Sequence, residues 1–168
     1  MSTSLKKLTD QKGFTLIEVL LVVAIISILA AIILIAINPT KQFGQARNSQ
    51  RQADMATIMD AVYQYAVDNA ALPAGINDTG ISQTPLDICK TGAASCTGLT
   101  DFSGTLTSAK KYLASIPIDP ACTTSCNSNV NDSGYKISRD STANNRVTVS
   151  SPLTDLLNPP SAALTITR

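Results

Sequence analysis

No histidine and no tryptophan occur in this 168-residue chain, and its aromatic side chains are only four tyrosines and three phenylalanines. Without histidine, neither a Ser-His-Asp nor a Cys-His nucleophilic arrangement can be assembled. No Gly-x-Gly-x-x-Gly segment, Walker loop, Gly-x-Ser-x-Gly turn or zinc-hydrolase pattern appears. An active site would have to be built from aspartates, because Glu18 is the only glutamate among the twelve acidic residues. The chain reads as a protein that performs no chemistry and needs no cofactor or bound metal. An excess of charge is also missing: 13 basic residues against 12 acidic ones give a formal net charge of +1. That balance argues against electrostatically driven DNA binding, and Lys136, Arg139 and Arg146 read as a solvated face. No internal repeat is visible.

What the chain does have is one long apolar run. From Lys12 to Ile37 it reads KGFTLIEVLLVVAIISILAAIILIAI, and residues 19 to 37 carry no charge. As a helix, residues 14 to 37 extend about 36 Å, enough for a hydrocarbon core of about 30 Å. Glu18 interrupts the run near its start, and an acid in hydrocarbon costs about 2.5 to 3.5 kcal/mol on insertion scales. Such a residue marks a functional site and calls for a partner. The plain alternative is a signal anchor whose Glu18 snorkels to the headgroups.

Lys6, Lys7 and Lys12, followed by Gly13-Phe14-Thr15-Leu16-Ile17-Glu18 and the apolar run, resemble the amino-terminal signature of type IV pilins and pseudopilins. The resemblance implies that a prepilin peptidase cuts after Gly13 and methylates the new terminus at Phe14, leaving the apolar helix on the mature protein. An ordinary secretory signal instead loses its apolar core with the leader. Removing the leader takes away three lysines and Asp10, so the formal charge falls by two, from +1 to −1. Cleavage would also create an α-amino group, and Glu18 could neutralise the Phe14 amine of a neighbouring subunit during assembly.

Four cysteines, Cys89, Cys96, Cys122 and Cys126, all lie beyond the apolar run. An even number in a small domain reads as two disulfides formed in an oxidising, extracytoplasmic compartment. Short loops favour Cys89 with Cys96 and Cys122 with Cys126. A four-thiolate zinc site lacks the close Cys-x-x-Cys pairs it would need. Asn127, Asn129, Asn131 and Asp132 loosely suggest the start of a calcium loop, but no glycine or bidentate glutamate follows where such a loop requires them.

Asn38 as N-cap with Pro39 at the first helical position predicts a second helix, weakened early by Gly44 and ended by Leu72-Pro73. Met55, Ile58, Met59, Val62, Tyr65, Ala66 and Asn69 form its apolar stripe, with Arg51, Asp54, Asp60 and Asp68 largely off it. Residues 74 to 107 read as loop, Ser108 to Ser115 as a short helix, and Gly134–Arg139 with Arg146–Ser150 as a hairpin around residues 140 to 145. Leu164–Thr167 could add a strand.

The expected fold is α+β: a long amino-terminal helix, membrane-spanning in its first half and packed by its second half on a small antiparallel sheet. The expected divisions are a leader at 1–13, a membrane or filament-core helix at 14–37, an amphipathic half-helix at 38–72 and a disulfide-containing head at 73–168. The resemblance implies a structural subunit of a type IV pilus, inserted in the inner membrane with its head outside and then assembled into an extracellular filament. Its partners would be copies of itself, the prepilin peptidase, the pilus assembly platform and, before assembly, membrane lipid. The alternatives are a secretion or competence pseudopilin and a non-polymerising, signal-anchored binding module.

Overall fold

The computed structural model describes residues 13–37, 39–122, 126, 130–152 and 163–168. The leader up to Lys12, the cap expected at Asn38, and Asn127 and Asn129 of the suggested calcium loop lie outside the described residues. The chain divides after Thr40 into two compact units.

In the first unit, α1 spans Leu16–Ile37 over 22 residues. Its apolar composition, in which Glu18 is the one charge, makes Leu16–Ile33 long and apolar enough to cross a membrane. Its large side chains from Leu16 to Ile33 are exposed, among them Leu20, Val23 and Ile26. Its mid-helix hydroxyl, on Ser27, is satisfied internally by donating to the Val23 carbonyl at 2.8 Å, the back-bond expected of a helical serine with no other partner.

α2 spans Pro39–Asn69. Proline suits a helix start because its missing N–H is one of the donors that a first turn leaves unpaired. The helix stops three residues before Leu72: the Asn69 side chain donates back to the Tyr65 carbonyl at 2.8 Å, and Ala70 takes a left-handed φ of 52°. A left-handed residue just past the last turn is a common helix terminator.

Four strands, β1 (Leu86–Cys89), β2 (Asp132–Asp140), β3 (Arg146–Ser151) and β4 (Leu164–Thr167), form an antiparallel sheet in the order β1-β2-β3-β4. The hairpin pairs Lys136 with Ser150 through Asp140 with Arg146, and β4 adds to its far side. Fully buried Met55, Ile58, Met59 and Val62 of α2 share one core with Ile88, Phe102, Leu106, Tyr135, Ile137, Val147 and Val149. Each such side chain contributes about 1.5–3 kcal/mol on burial. The fold is α+β, with an apolar helix first and the sheet packed on α2.

Three expectations change. β1 replaces what read as loop: Ile88 is buried in the core, and the strand pairs with residues more than forty positions later. The short helix expected from Ser108 is a single 3-10 turn, Ser108–Lys110. Buried Leu106 and Leu113 close that loop through a backbone bond of 3.0 Å, which leaves no room for a longer helix between them. Finally, Arg51 and Asp54 are buried on the core side of α2, although their charge placed them off the apolar stripe.

Their burial is explained by partners far along the chain. Arg51 Nε and Nη2 donate to Asp119 at 2.7 and 3.0 Å, and Nη1 donates to Asn48 Oδ1. Asp119 also accepts from the Ala121 N–H and the Ser151 hydroxyl. Asp54 accepts from Tyr135 Oη at 2.7 Å and from Gln50 at 2.8 Å. Gly134 makes this closeness possible. At its φ of +89° an added Cβ would lie 2.6 Å from Asp119 Cβ and 3.0 Å from Cys122 Sγ, so no other residue fits without displacement.

Candidate functional site

The residues singled out in the sequence converge on the start of α1. Thr15 is the N-cap: its hydroxyl accepts from the Glu18 N–H at 3.3 Å, while Glu18 Oε2 accepts from the Thr15 N–H and the Thr15 hydroxyl, both at 2.8 Å. This is a capping box, in which two donors at the helix start are satisfied reciprocally. Thr15 therefore belongs to the site, although the charge reading singled out only Glu18. The spacing Thr-x-x-Glu ahead of an apolar run was the available signal. A carboxylate at this end also sits favourably against the positive end of the helix dipole.

Both bonds from Thr15 fall on one oxygen. Among the described residues Glu18 Oε1 has no hydrogen-bond partner, so one acceptor stays available to an incoming donor. Phe14 is 88% exposed and borders, with Glu18, Val19 and Val22, a shallow depression on the helix surface. Nothing lies within 4 Å of the Cβ position at Gly13. The Gly13 position is thus open and the Phe14 side chain exposed, and the carboxylate lies about one turn beyond them.

The cysteines lie in the second unit. Cys89 and Cys96 form a disulfide with Cα atoms 5.6 Å apart, bridging the end of β1 to the following loop. Cys122 and Cys126 are also bonded, with Cα atoms 5.1 Å apart. Among the described residues no cluster of histidine, cysteine, aspartate or glutamate could hold a metal ion. Of the basic residues weighed for nucleic acid, Lys136 pairs with Asp87 at 2.9 Å and Arg139 with Asp78 at 3.5 Å.

Comparison with known proteins locates the likeness at the same end of the chain. The family model described as the prokaryotic N-terminal methylation motif matches residues 8–34, which include Gly13, Phe14, Thr15 and Glu18. The type IV major pilin protein PilE1 of Neisseria gonorrhoeae is 37% identical over 82 residues, covering 48% of this chain and 47% of that protein. The match thus spans about half the length of its relative. No solved structure matches. In its methylation motif, its apolar first helix and its four-stranded sheet packed on a long second helix, the chain is similar to type IV pilins.

Proposed function

We propose that this protein is the structural subunit of a type IV pilus, anchored in the inner membrane by α1 before assembly and held in the filament by that helix afterwards. The observation that carries the proposal is the coincidence of the methylation motif with a capped Glu18 that keeps one oxygen open beside an exposed Phe14. Prepilin peptidase would hydrolyse the Gly13–Phe14 bond, and methylation of the liberated amine would follow. In a filament the exposed apolar face of α1 would pack against other copies. The new amine would then need a counter-charge, since an unpaired charge in a low-dielectric core is costly.

Glu18 supplies that counter-charge. Its geometry suits the task because the Thr15 bonds hold one carboxylate oxygen and orient the other, so little side-chain freedom remains to be lost on pairing. The head has no catalytic part in this scheme; it forms the filament surface, outside the cytoplasm, where its disulfides persist.

The test is intact-mass analysis of sheared filaments, joined to imaging of a Glu18→Val strain. Filament protein should begin at Phe14 and carry one added methyl group, and the Glu18→Val chain should insert in the membrane yet yield few or no filaments. Assembled protein that retains residues 1–13, or Glu18→Val filaments of native number and length, would overturn the proposal. Fibres confined to the periplasm would move the chain to the pseudopilin class.

A further inference from the structure

The inward face of β2 changes character at its end. Tyr135 and Ile137 are fully buried in the core, and Arg139, two residues on, occupies the same face of the strand. Its partner across the hairpin, Val147, is also buried. From the other side α2 offers Met59 and Val62 to the core, but beside the arginine only the small side chains of Ala66 and Ala70. The two layers do not close on each other there. They leave an open cleft of about 650 Å³, bordered by Ala66, Ala70, Leu72, Pro73, Arg139 and Asn145, a size within the range of small-ligand sites, about 300–1,000 Å³.

The arginine in this cleft is short of acceptors. Its Nε is buried without a hydrogen-bond partner. Its ion pair with Asp78 has a separation of 3.5 Å, at the limit of hydrogen bonding. That acid is occupied elsewhere, because Asp78 Oδ1 accepts from the Gly80 and Ser141 N–H groups, each at 3.0 Å. Asp140, the next residue along, likewise accepts from Thr142 and from the Ala143 N–H. A guanidinium carries five donors in a planar fork, which fits a carboxylate through two parallel bonds. Asn145, whose side-chain amide is a further donor, borders the same cleft.

We propose that this cleft binds a carboxylate carried on a compact apolar body, with Arg139 receiving the acid and Ala66, Ala70, Leu72 and Pro73 receiving the body. A free organic acid and the carboxyl end of a peptide present this same chemistry. Asp78 and Asp140 oppose an anion, so binding should be weak, in the millimolar range. Salt should weaken it further, since 39% of the Arg139 side chain is exposed. The cleft lies within the second unit and does not depend on the fate of α1.

The arginines are Arg47, Arg51, Arg139, Arg146 and Arg168, few enough for their Nε–H signals to be followed singly by NMR. The full chain, isotope-labelled in arginine, is studied in micelles of a neutral detergent at about pH 6, where carboxylic acids are ionised. Isobutyrate and N-acetylalanine should each move the Arg139 signal saturably. Isobutyramide and N-acetylalaninamide, which keep the shape without the charge, should not. Arg139→Lys identifies the signal and, by keeping the charge while removing the fork, should weaken binding about tenfold, read from the methyl signals of the probes. Ala66→Leu keeps the arginine and should abolish the response by filling the cleft, with the variant's denaturant midpoint showing that it is folded. Binding of N-acetylalanine about tenfold tighter than isobutyrate supports a peptide end as the source, and equal or weaker binding supports a free acid. Equal responses to acid and amide, a full response in folded Ala66→Leu, or no saturable shift with either acid overturns the site.

Discussion

α1 and α2 each carry charge where an apolar face is wanted, and they satisfy it over very different distances along the chain. Glu18 is held by Thr15, three residues away. Arg51 is held by Asp119, 68 residues away, and Asp54 by Tyr135, 81 residues away. The first arrangement forms as soon as one helical turn forms. The second exists only when the sheet and the loop around Asp119 have docked on α2. A locally satisfied charge leaves the rest of its helix free to exchange one environment for another, as the proposed passage of α1 from lipid into a filament requires. A remotely satisfied one ties its helix to a single folded unit.

The sharpest way to break this contrast is Asp119→Ala, which strands the Arg51 guanidinium in the core. Removing one member of a buried pair costs about 3–5 kcal/mol, and both side chains here are essentially inaccessible, at 1% and 0%. Denaturant unfolding of the detergent-solubilised chain, followed by tyrosine fluorescence, should show a loss of that size. Replacing both partners, Arg51→Met with Asp119→Leu, should recover most of it. A loss below about 1 kcal/mol would place the pair in the weak, exposed class.

Tyr135→Phe comes next. It removes the phenol that donates to Asp54 and leaves Gln50 as the donor to that carboxylate. Burial, and then the Asp54 carboxylate beside it, push the Tyr135 pKa upward, so the phenol remains a donor throughout the neutral range. Loss of a buried hydrogen-bond partner should cost about 1–3 kcal/mol. The same titration measures it, and Tyr63→Phe, whose hydroxyl bonds the exposed carbonyl of Arg168, serves as the mild control.

The local and remote arrangements also differ in how far the sequence reveals them. The apolar run, Glu18 and the methylation motif are contiguous, so one window of sequence contains the whole site; only the part of Thr15 is hidden there, because hydropathy draws attention to the carboxylate. The hairpin around residues 140 to 145 and the strand Leu164–Thr167 were legible from alternation. β1 was not, because four residues between Pro85 and a glycine-rich loop carry too little periodicity to outweigh their turn-rich surroundings. Nor was the buried role of Arg51 and Asp54: a charge on a helix reads as exposed until its distant partner is known.

A smaller test addresses α1. Thr15→Val removes the cap hydroxyl while keeping the side chain's shape, and a lost N-cap costs about 0.5–2 kcal/mol. The effect should stay within the first turn: in micelles, amide exchange should quicken at Leu16 to Val19 and remain unchanged across α2. Thr15→Ser should restore protection. Quickened exchange throughout both helices would show that the cap is not a local device and would remove the contrast.

The smallest expected effect lies at the carboxyl-terminal end of α2, where Lys111 donates to Tyr112 Oη at 2.6 Å and pairs with Asp68 at 2.9 Å. The Tyr112 hydrogen bond first, then the one to Asp68, raises the Lys111 pKa from 10.5 to about 12. A raised amine pKa contributes stability in full below the unfolded value of about 10.5, and that contribution disappears as pH rises through about 12. Asp78 shows the opposite sign: the Ser141 backbone N–H, above all, holds its carboxyl below the usual range, so its contribution is lost only as pH falls through that lowered value. Thermal melting of the Lys111→Met chain should therefore lose part of the alkaline decline seen in the parent between about pH 9 and 12, while the acid decline attributable to Asp78, followed separately below about pH 4, persists. Both groups of the Lys111 pair are substantially exposed, 61% and 42%, so the change should be slight and should shrink with added salt. An alkaline decline identical in parent and variant would show that α2 is fastened by its buried polar contacts and core alone, with nothing added at its surface end.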